Sequence, residues 1–301
     1  MTTPRSDGRP PLLLGAHFSI AGGRHNALYA AAGCGCTALQ LFTKNARTWK
    51  ETPLTRAAVA RFDQARKETG ITEIAAHTSY LLNIASPDDG NRARSRAALS
   101  AELERCGRLG IPYIVHHPGA HLGAGADAGV DNAAREIRRI FAALPGRNCR
   151  LLLETTAGQG TGIGRTFEEI AAILSAVDAP DRMGVCLDTC HIFAAGYDLR
   201  TREAYERTMD HFDRTIGLAQ LFVLHLNDAK NDFHSRVDRH EHIGEGAIGI
   251  DAFGFVMQDP RLARCPKIIE TPKTRGGTDM DRVNLDRLRA LAESGGDRPS
   301  A

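Results

Sequence analysis

No stretch of this 301-residue chain keeps apolar residues for anything near the roughly 20 positions a membrane-spanning helix requires. The opening, "MTTPRSDGRPPLLLGAH", has too short an apolar run for a secretory signal. An excess of charge of one sign is also missing. Lys and Arg number 38 against 36 Asp and Glu, a net charge of +2. That total argues for no nucleic-acid partner, although a local basic groove would not show in it. The seven cysteines are odd in number and are not spaced as a disulfide framework. Reduced thiols in a cytoplasmic protein are the expectation. There is no low-complexity tract, no linker and no visible domain boundary. With 42% hydrophobic and 25% charged residues the composition is that of a globular domain. One domain over residues 1–301 is expected, with an ordered core of about 12–293 and short tails.

What is present is a rhythm. Eight short runs rich in Leu, Ile and Val recur: "PLLLGAHFS", "ALQLFT", "ITEIAAHT", "YIVHHPG", "LLLETT", "MGVCLDT", "LFVLHLND" and "KIIETP". Longer amphipathic segments separate them, and helices are expected over 91–109, 130–144, 166–177 and 202–218. Buried strands alternating with helices imply a parallel sheet with right-handed crossovers. Eight such units in about 280 residues point to a closed (β/α)8 TIM barrel, with a doubly wound open sheet as the alternative. The connection after the seventh run, 229–249, is long for a compact domain.

The last polar residue of these runs is nearly always ionisable: His17, His77, His117, Glu154, Asp188, His225 and Glu270. In a (β/α)8 barrel the strand C-termini open onto one face, where active sites are built. One histidine at a strand end is ordinary. Six or seven ionisable groups packed unpaired into an apolar mouth are costly, and bound metal ions remove that cost. "LDTCH" adds His191, three residues after Asp188. "RVDRHEHIGEG", residues 236–246, adds Asp238 and His240, which an extended segment places on one side. Taken alone, that loop reads as a solvated charge run rather than a metal clamp. Together the candidate ligands are His77, His117, Glu154, Asp188, His191, His225, Asp238, His240 and Glu270. They exceed the needs of one tetrahedral ion and suit two or three ions sharing a carboxylate. Mixed imidazole and carboxylate ligation favours zinc, with manganese or iron behind it. Alternation turns His116 to the opposite side from His117, as a structural residue, and leaves His17 open.

Two motif-like stretches carry less. "GQGTGIG" lacks the Gly-x-Gly-x-x-Gly spacing and an acidic ribose partner, so it reads as a tight loop. "HEH" is not the His-Glu-x-x-His of zinc proteases.

In order along the chain stand "GAHFSIAGG", "HTSYLLNIASP", "HHPGAHLG", "ETTAGQG", "CLDTCHIFAAGYDLR", "LHLNDAK", "VDRHEHIGEGAIG" and "IIETP". Together they resemble the endonuclease IV family of zinc-dependent apurinic/apyrimidinic endonucleases, over about residues 13–291. The resemblance implies hydrolysis of the phosphodiester 5′ of an abasic site, leaving a 3′-hydroxyl, with 3′-end cleaning as a further activity. It implies three Zn2+ per chain, double-stranded DNA with abasic sites or blocked 3′-ends as partner, a monomer, and no membrane. By the family's pattern His77 and His117 hold one ion, and Glu154 bridges it to a second completed by Asp188, His225 and Glu270. His191, Asp238 and His240 hold the third. Glu154 stands beside the nucleophile, and Arg47, Tyr80 and Leu81 match positions that enter the duplex. His242 matches no ligand position and is assigned a supporting role. The family's usual Glu-Asn-Thr is here Glu154-Thr155-Thr156, which keeps the ligand and changes its neighbour. Two alternatives are a metal-dependent sugar isomerase or epimerase on the same barrel, and a non-catalytic zinc- or nucleic-acid-binding protein. The five histidines count against the first, and the complete ligand set against the second.

Overall fold

Each of the eight apolar runs forms a strand, and all eight close into one parallel barrel. The computed structural model describes residues 11–51, 53–146 and 149–294. Of the expected tails, residues 1–10 and 295–301 lie outside the described residues. The strands are β1 (Leu14–Phe18), β2 (Ala38–Phe42), β3 (Glu73–His77), β4 (Tyr113–His116), β5 (Arg150–Glu154), β6 (Met183–Asp188) and β7 (Leu221–His225). A closing strand, Lys267–Ile269, pairs with β7 on one side and β1 on the other. That closure excludes the open sheet.

Helices α1 (Arg24–Gly33), α2 (Arg56–Thr69), α3 (Asp89–Leu109), α4 (Ala126–Ala143) and α5 (Phe167–Val177) follow the first five strands. Then come α6 (Thr189–Ala195), α7 (Arg202–Thr215), α8 (Ile250–Gln258) and α9 (Met280–Glu293). Side chains that accept from the first free N–H groups start several of them: Thr55, Asp88, Thr166 and Thr201. Gly70 and Gly110 end α2 and α3 in the left-handed conformation that other residues enter at a cost. Helix α4 starts at Ala126, earlier than the expected 130, because its first turn, Ala-Asp-Ala-Gly, carries no large apolar side chain to mark the period. Helix α7 stops at Thr215, short of the expected 218, and Leu218–Gln220 forms a separate 3-10 turn. No helix among the described residues is long and apolar enough to cross a membrane.

Alternation along the strands sets the barrel's contents. Ala38, Ala75, Val115, Leu152, Cys186, Val223 and Ile268 form one apolar cluster inside the barrel. Two residues further along each chain stand Gln40, His77, His117, Glu154, Asp188, His225 and Glu270. On β1 the same step leads from Gly15 to His17. A layer of small and branched apolar side chains therefore lies directly beneath a layer of polar ones. The larger apolar cluster fills the space between the strands and the helices.

Gly15 has no room for a side chain: a Cβ there would lie 1.8 Å from the Ala38 carbonyl oxygen. Gly15→Ala should cost about 3 kcal/mol or more. Gly33, where an added Cβ meets nothing within 4 Å, should tolerate Ala with a change within about 1 kcal/mol. Denaturant unfolding of the two variants checks this; equal midpoints would contradict the β1–β2 packing described.

Candidate metal centre

The polar layer converges on Glu154, whose carboxylate is fully buried at the end of β5. Its Oε2 lies 3.0 Å from His77 Nε2 and 2.9 Å from His117 Nε2. Its Oε1 lies 2.8 Å from His225 Nδ1 and 3.5 Å from His191 Nδ1. One carboxylate thus faces two groups of donors. His225 Nδ1 also lies 3.3 Å from Glu270 and 3.8 Å from Asp188. On the outer side, Asp238 Oδ1 is 3.2 Å from His191 Nε2 and 3.4 Å from His240 Nε2.

Donor atoms within 4.8 Å of one another form, among other groups, His77, His117 and Glu154; Glu154, Asp188, His225 and Glu270; and His191, Asp238 and His240. These coincide with the three ligand sets expected from the sequence. The same neighbourhood contains Cys186 and Cys190. Burial pushes both thiols well above their ordinary range.

Carbonyl acceptors fix which imidazole nitrogen is left bare. His77 Nδ1 donates to the Thr78 carbonyl and His191 Nδ1 to the Thr155 carbonyl, each at 2.8 Å. The lone pair of each neutral ring is then on Nε2. His225 is turned the other way: Nε2 donates to the Gln40 side-chain oxygen at 2.8 Å and leaves Nδ1 facing the carboxylates. The buried Nε2 atoms of His191 and His240 have no hydrogen-bond partner among the described residues. Bare, buried donors aimed at a carboxylate are what a divalent cation needs.

The charges agree. Burial lifts the Glu154 carboxyl, but the imidazoles of His117 and His225 outweigh it and hold the group well below the ordinary range. For Glu270, burial is likewise overcome by His225 and by the hydrogen bond with His17. Burial lowers His191, yet Asp188 and Asp238 raise it well above an ordinary imidazole. The cluster keeps its negative charge and draws positive charge to itself.

Several supporting residues escaped the sequence reading. Gln40 is the one neutral member of the polar layer; its amide also donates to Glu270 Oε1 at 2.5 Å. Asn227 donates to Asp188 Oδ2 and accepts from the Glu270 N–H, both at 2.7 Å. Thr155, singled out above as the neighbour of Glu154, accepts from the Asp188 N–H at 3.0 Å through its hydroxyl. His17 stands 3.4 Å from Glu270, outside the three donor sets. His116 turns away as expected and shares a 2.9 Å hydrogen bond with the Thr78 hydroxyl. Burial, then His117 and His77, push it down to about 3, so it stays neutral.

Asp238 and His240 do lie side by side, but His242 does not continue their line. The chain turns after it, Glu245 N–H donating to its carbonyl, and the buried ring meets the Asn284 amide of α9 at 3.0 Å. The "GQGTGIG" loop bridges to Ala120, and its Gln159 accepts from the Asp238 N–H at 3.1 Å. Above the donors is a cavity of about 350 Å³, walled by Tyr80, Asp238, Arg239 and Pro272 among others. On its rim Tyr80 is 67% exposed, its ring edge-on to Phe42, and Leu81 is 38% exposed. Arg47 is exposed on the loop after β2, its guanidinium unpaired among the described residues.

Gln40→Leu should lower affinity for a divalent cation by about 10–100-fold, because it frees the His225 ring and removes a donor from Glu270. Chelator competition measures this, and an unchanged affinity would reduce Gln40 to a packing residue.

A family model for xylose isomerase-like TIM barrels matches residues 28–292. A protein of Chloroflexus aurantiacus named "Probable endonuclease 4" is 47% identical over 93% of this chain and 98% of its own length. One of the same name from Geobacter sulfurreducens is 49% identical over 92% and 94% respectively. The crystal structure of endonuclease IV from Thermus thermophilus superposes with a TM-score of 0.82 at 36% identity, covering 94% of this chain and all of that one. With nearly half its residues shared along almost the whole length of such relatives, and their barrel as well, the chain belongs to the endonuclease IV family.

Proposed function

We propose that this protein is a DNA-repair endonuclease that hydrolyses the phosphodiester 5′ of abasic sites in double-stranded DNA and leaves a 3′-hydroxyl. Blocked 3′-ends are the second substrate. The observation that carries the reading is the sharing of one buried carboxylate, Glu154, between two donor sets, with a third set beside them. Three Zn2+ ions would be held by these sets: His77, His117 and Glu154; Glu154, Asp188, His225 and Glu270; His191, Asp238 and His240. Bound there, the ions would neutralise the phosphodiester and acidify a water for attack.

The chain's own residues supply the rest. Glu154 holds its two oxygens toward opposite sides, so both neighbouring sets keep a fixed spacing. Thr78, Thr155 and Gln40 hold the imidazoles with their lone pairs inward. Tyr80 and Leu81 present apolar surface on the rim and enter the duplex where a nucleotide has lost its base, the step at which extrusion costs least. Arg47 contacts the duplex from the loop after β2. The protein acts as a single-domain monomer in the cytoplasm. A sugar isomerase on the same barrel needs fewer ions, so metal content separates the readings.

Incubation of the purified, zinc-supplied chain with an abasic duplex tests the activity directly; no incision 5′ of the site would refute it. Elemental analysis should find about three zinc ions per chain. Glu154→Gln should remove most turnover while DNA binding survives; near-parental rates would disprove its role.

His240→Ala should lose about one of those ions and much activity. His242→Ala should keep the ions and instead lose about 1–3 kcal/mol of stability, because the Asn284 amide is left buried with one partner fewer. Equal zinc retention in the two variants would sink the ligand assignment.

A further inference from the structure

The long connection after β7 carries Asp238 and His240, yet no barrel strand supports them. Asp228, three residues beyond His225, is completely buried. Its carboxylate accepts four backbone N–H groups: Oδ1 from Ala229 at 2.8 Å and Ile248 at 2.9 Å, Oδ2 from Gly244 and Gly246 at 3.0 Å each. Four donors satisfy the whole accepting capacity of a carboxylate. Three of its donors, Gly244, Gly246 and Ile248, lie on the far limb of the loop, past Asp238 and His240.

Asp228 and Ala229 also form a short antiparallel ribbon with His240–Glu241, pairing Asp228 with Glu241 and Ala229 with His240. The Ala229 carbonyl accepts from Ala247 N–H at 2.8 Å. The far limb comes so close that a Cβ on Gly246 would lie 2.4 Å from the Ala229 oxygen and 2.6 Å from Asp228 Oδ1. The carboxylate therefore ties both ends of the loop to the point where the chain leaves the barrel.

We propose that Asp228 is a positioning residue: its carboxylate latches the far limb, residues 244–248, to the end of β7 and so sets the place of His240 and Asp238 opposite His191. The inference rests on the reading of those three residues as ligands of one cation. Asp228 touches no reacting atom; it acts through the ribbon. Loss of the latch leaves the other two donor sets intact, since their residues sit on barrel strands or one residue past a strand's end.

Two variants test it, with the parent chain as reference and zinc supplied to all. Asp228→Asn replaces an acceptor with an amide that confronts backbone N–H groups. Gly246→Ala pushes the far limb off the same carboxylate without changing charge. Each should fall from about three bound zinc ions to about two, with turnover down about 10–100-fold and a lowered thermal midpoint, while the two remaining donor sets keep their ions. Hydrogen exchange on metal-free protein should show the Gly244, Gly246 and Ile248 amides protected in the parent and fast in the variants. Full zinc retention by both variants, beside a parent that holds three, would overturn the latch alone. Fast exchange of those amides in the metal-free parent would also overturn it, even if neither variant folds. A parent that holds fewer than three ions would remove the ligand reading and the latch together.

Discussion

A fully buried carboxylate, Glu154, lies within 3.5 Å of four imidazoles, those of His77, His117, His225 and His191. A lone ion so placed would cost several kcal/mol. Around it the barrel mouth is arranged to make the charge tolerable. The imidazoles neutralise it in part, and one ring nitrogen each of His77, His191 and His225 is held by Thr78, Thr155 and Gln40 respectively. Neighbouring carboxylates from Asp188 and Glu270 add negative charge to the same mouth, which favours cations. The donor sets are consequences of this one burial as much as of their own positions.

The arrangement does not weaken the fold because it occupies a separate layer. One pleat below, Ala38, Ala75, Val115, Leu152, Cys186, Val223 and Ile268 fill the barrel interior. The strands' outward faces pack against the helices. Each strand therefore divides its residues between barrel stability and the mouth, and the pleat keeps the two uses apart. Gly15 shows how closely the lower layer is filled, and His17 two residues on shows the same division on β1.

The third donor set is built differently. Only His191, on α6 next to β6, belongs to a regular barrel element. Asp238 and His240 depend on a loop, and a loop of this length needs anchors of its own. Asn227 and Asp228 divide that work. Asn227 reaches Asp188 and the Glu270 backbone, and Asp228 gathers the loop's own N–H groups. Adjacent residues point to opposite sides, so one short segment serves both the barrel's donors and the loop's.

The barrel was legible in the sequence because eight apolar runs separated by helical periods leave few other ways to bury the strands. Six of the nine candidate ligands were legible because ionisable groups at the ends of apolar runs conflict with burial unless something compensates them; His191, Asp238 and His240 came from the two motifs beside them. Gln40 occupies the same register on β2 and was passed over, since an uncharged amide raises no such conflict. Asn227 and Asp228 lie in a polar stretch where hydrogen-bond partners far along the chain leave no local trace. His242 marks the limit most clearly. By alternation it belongs with Asp238 and His240, and only the family resemblance set it apart; the turn closed by Glu245 N–H and the Asn284 amide on α9 carries it elsewhere. Local periodicity and the cost of buried charge thus determined the strands and the ligand types. Which nitrogen of each ring faces inward, and what holds the loop, were decided only by contacts between residues distant in sequence, because those hydrogen bonds exist only once the barrel has closed.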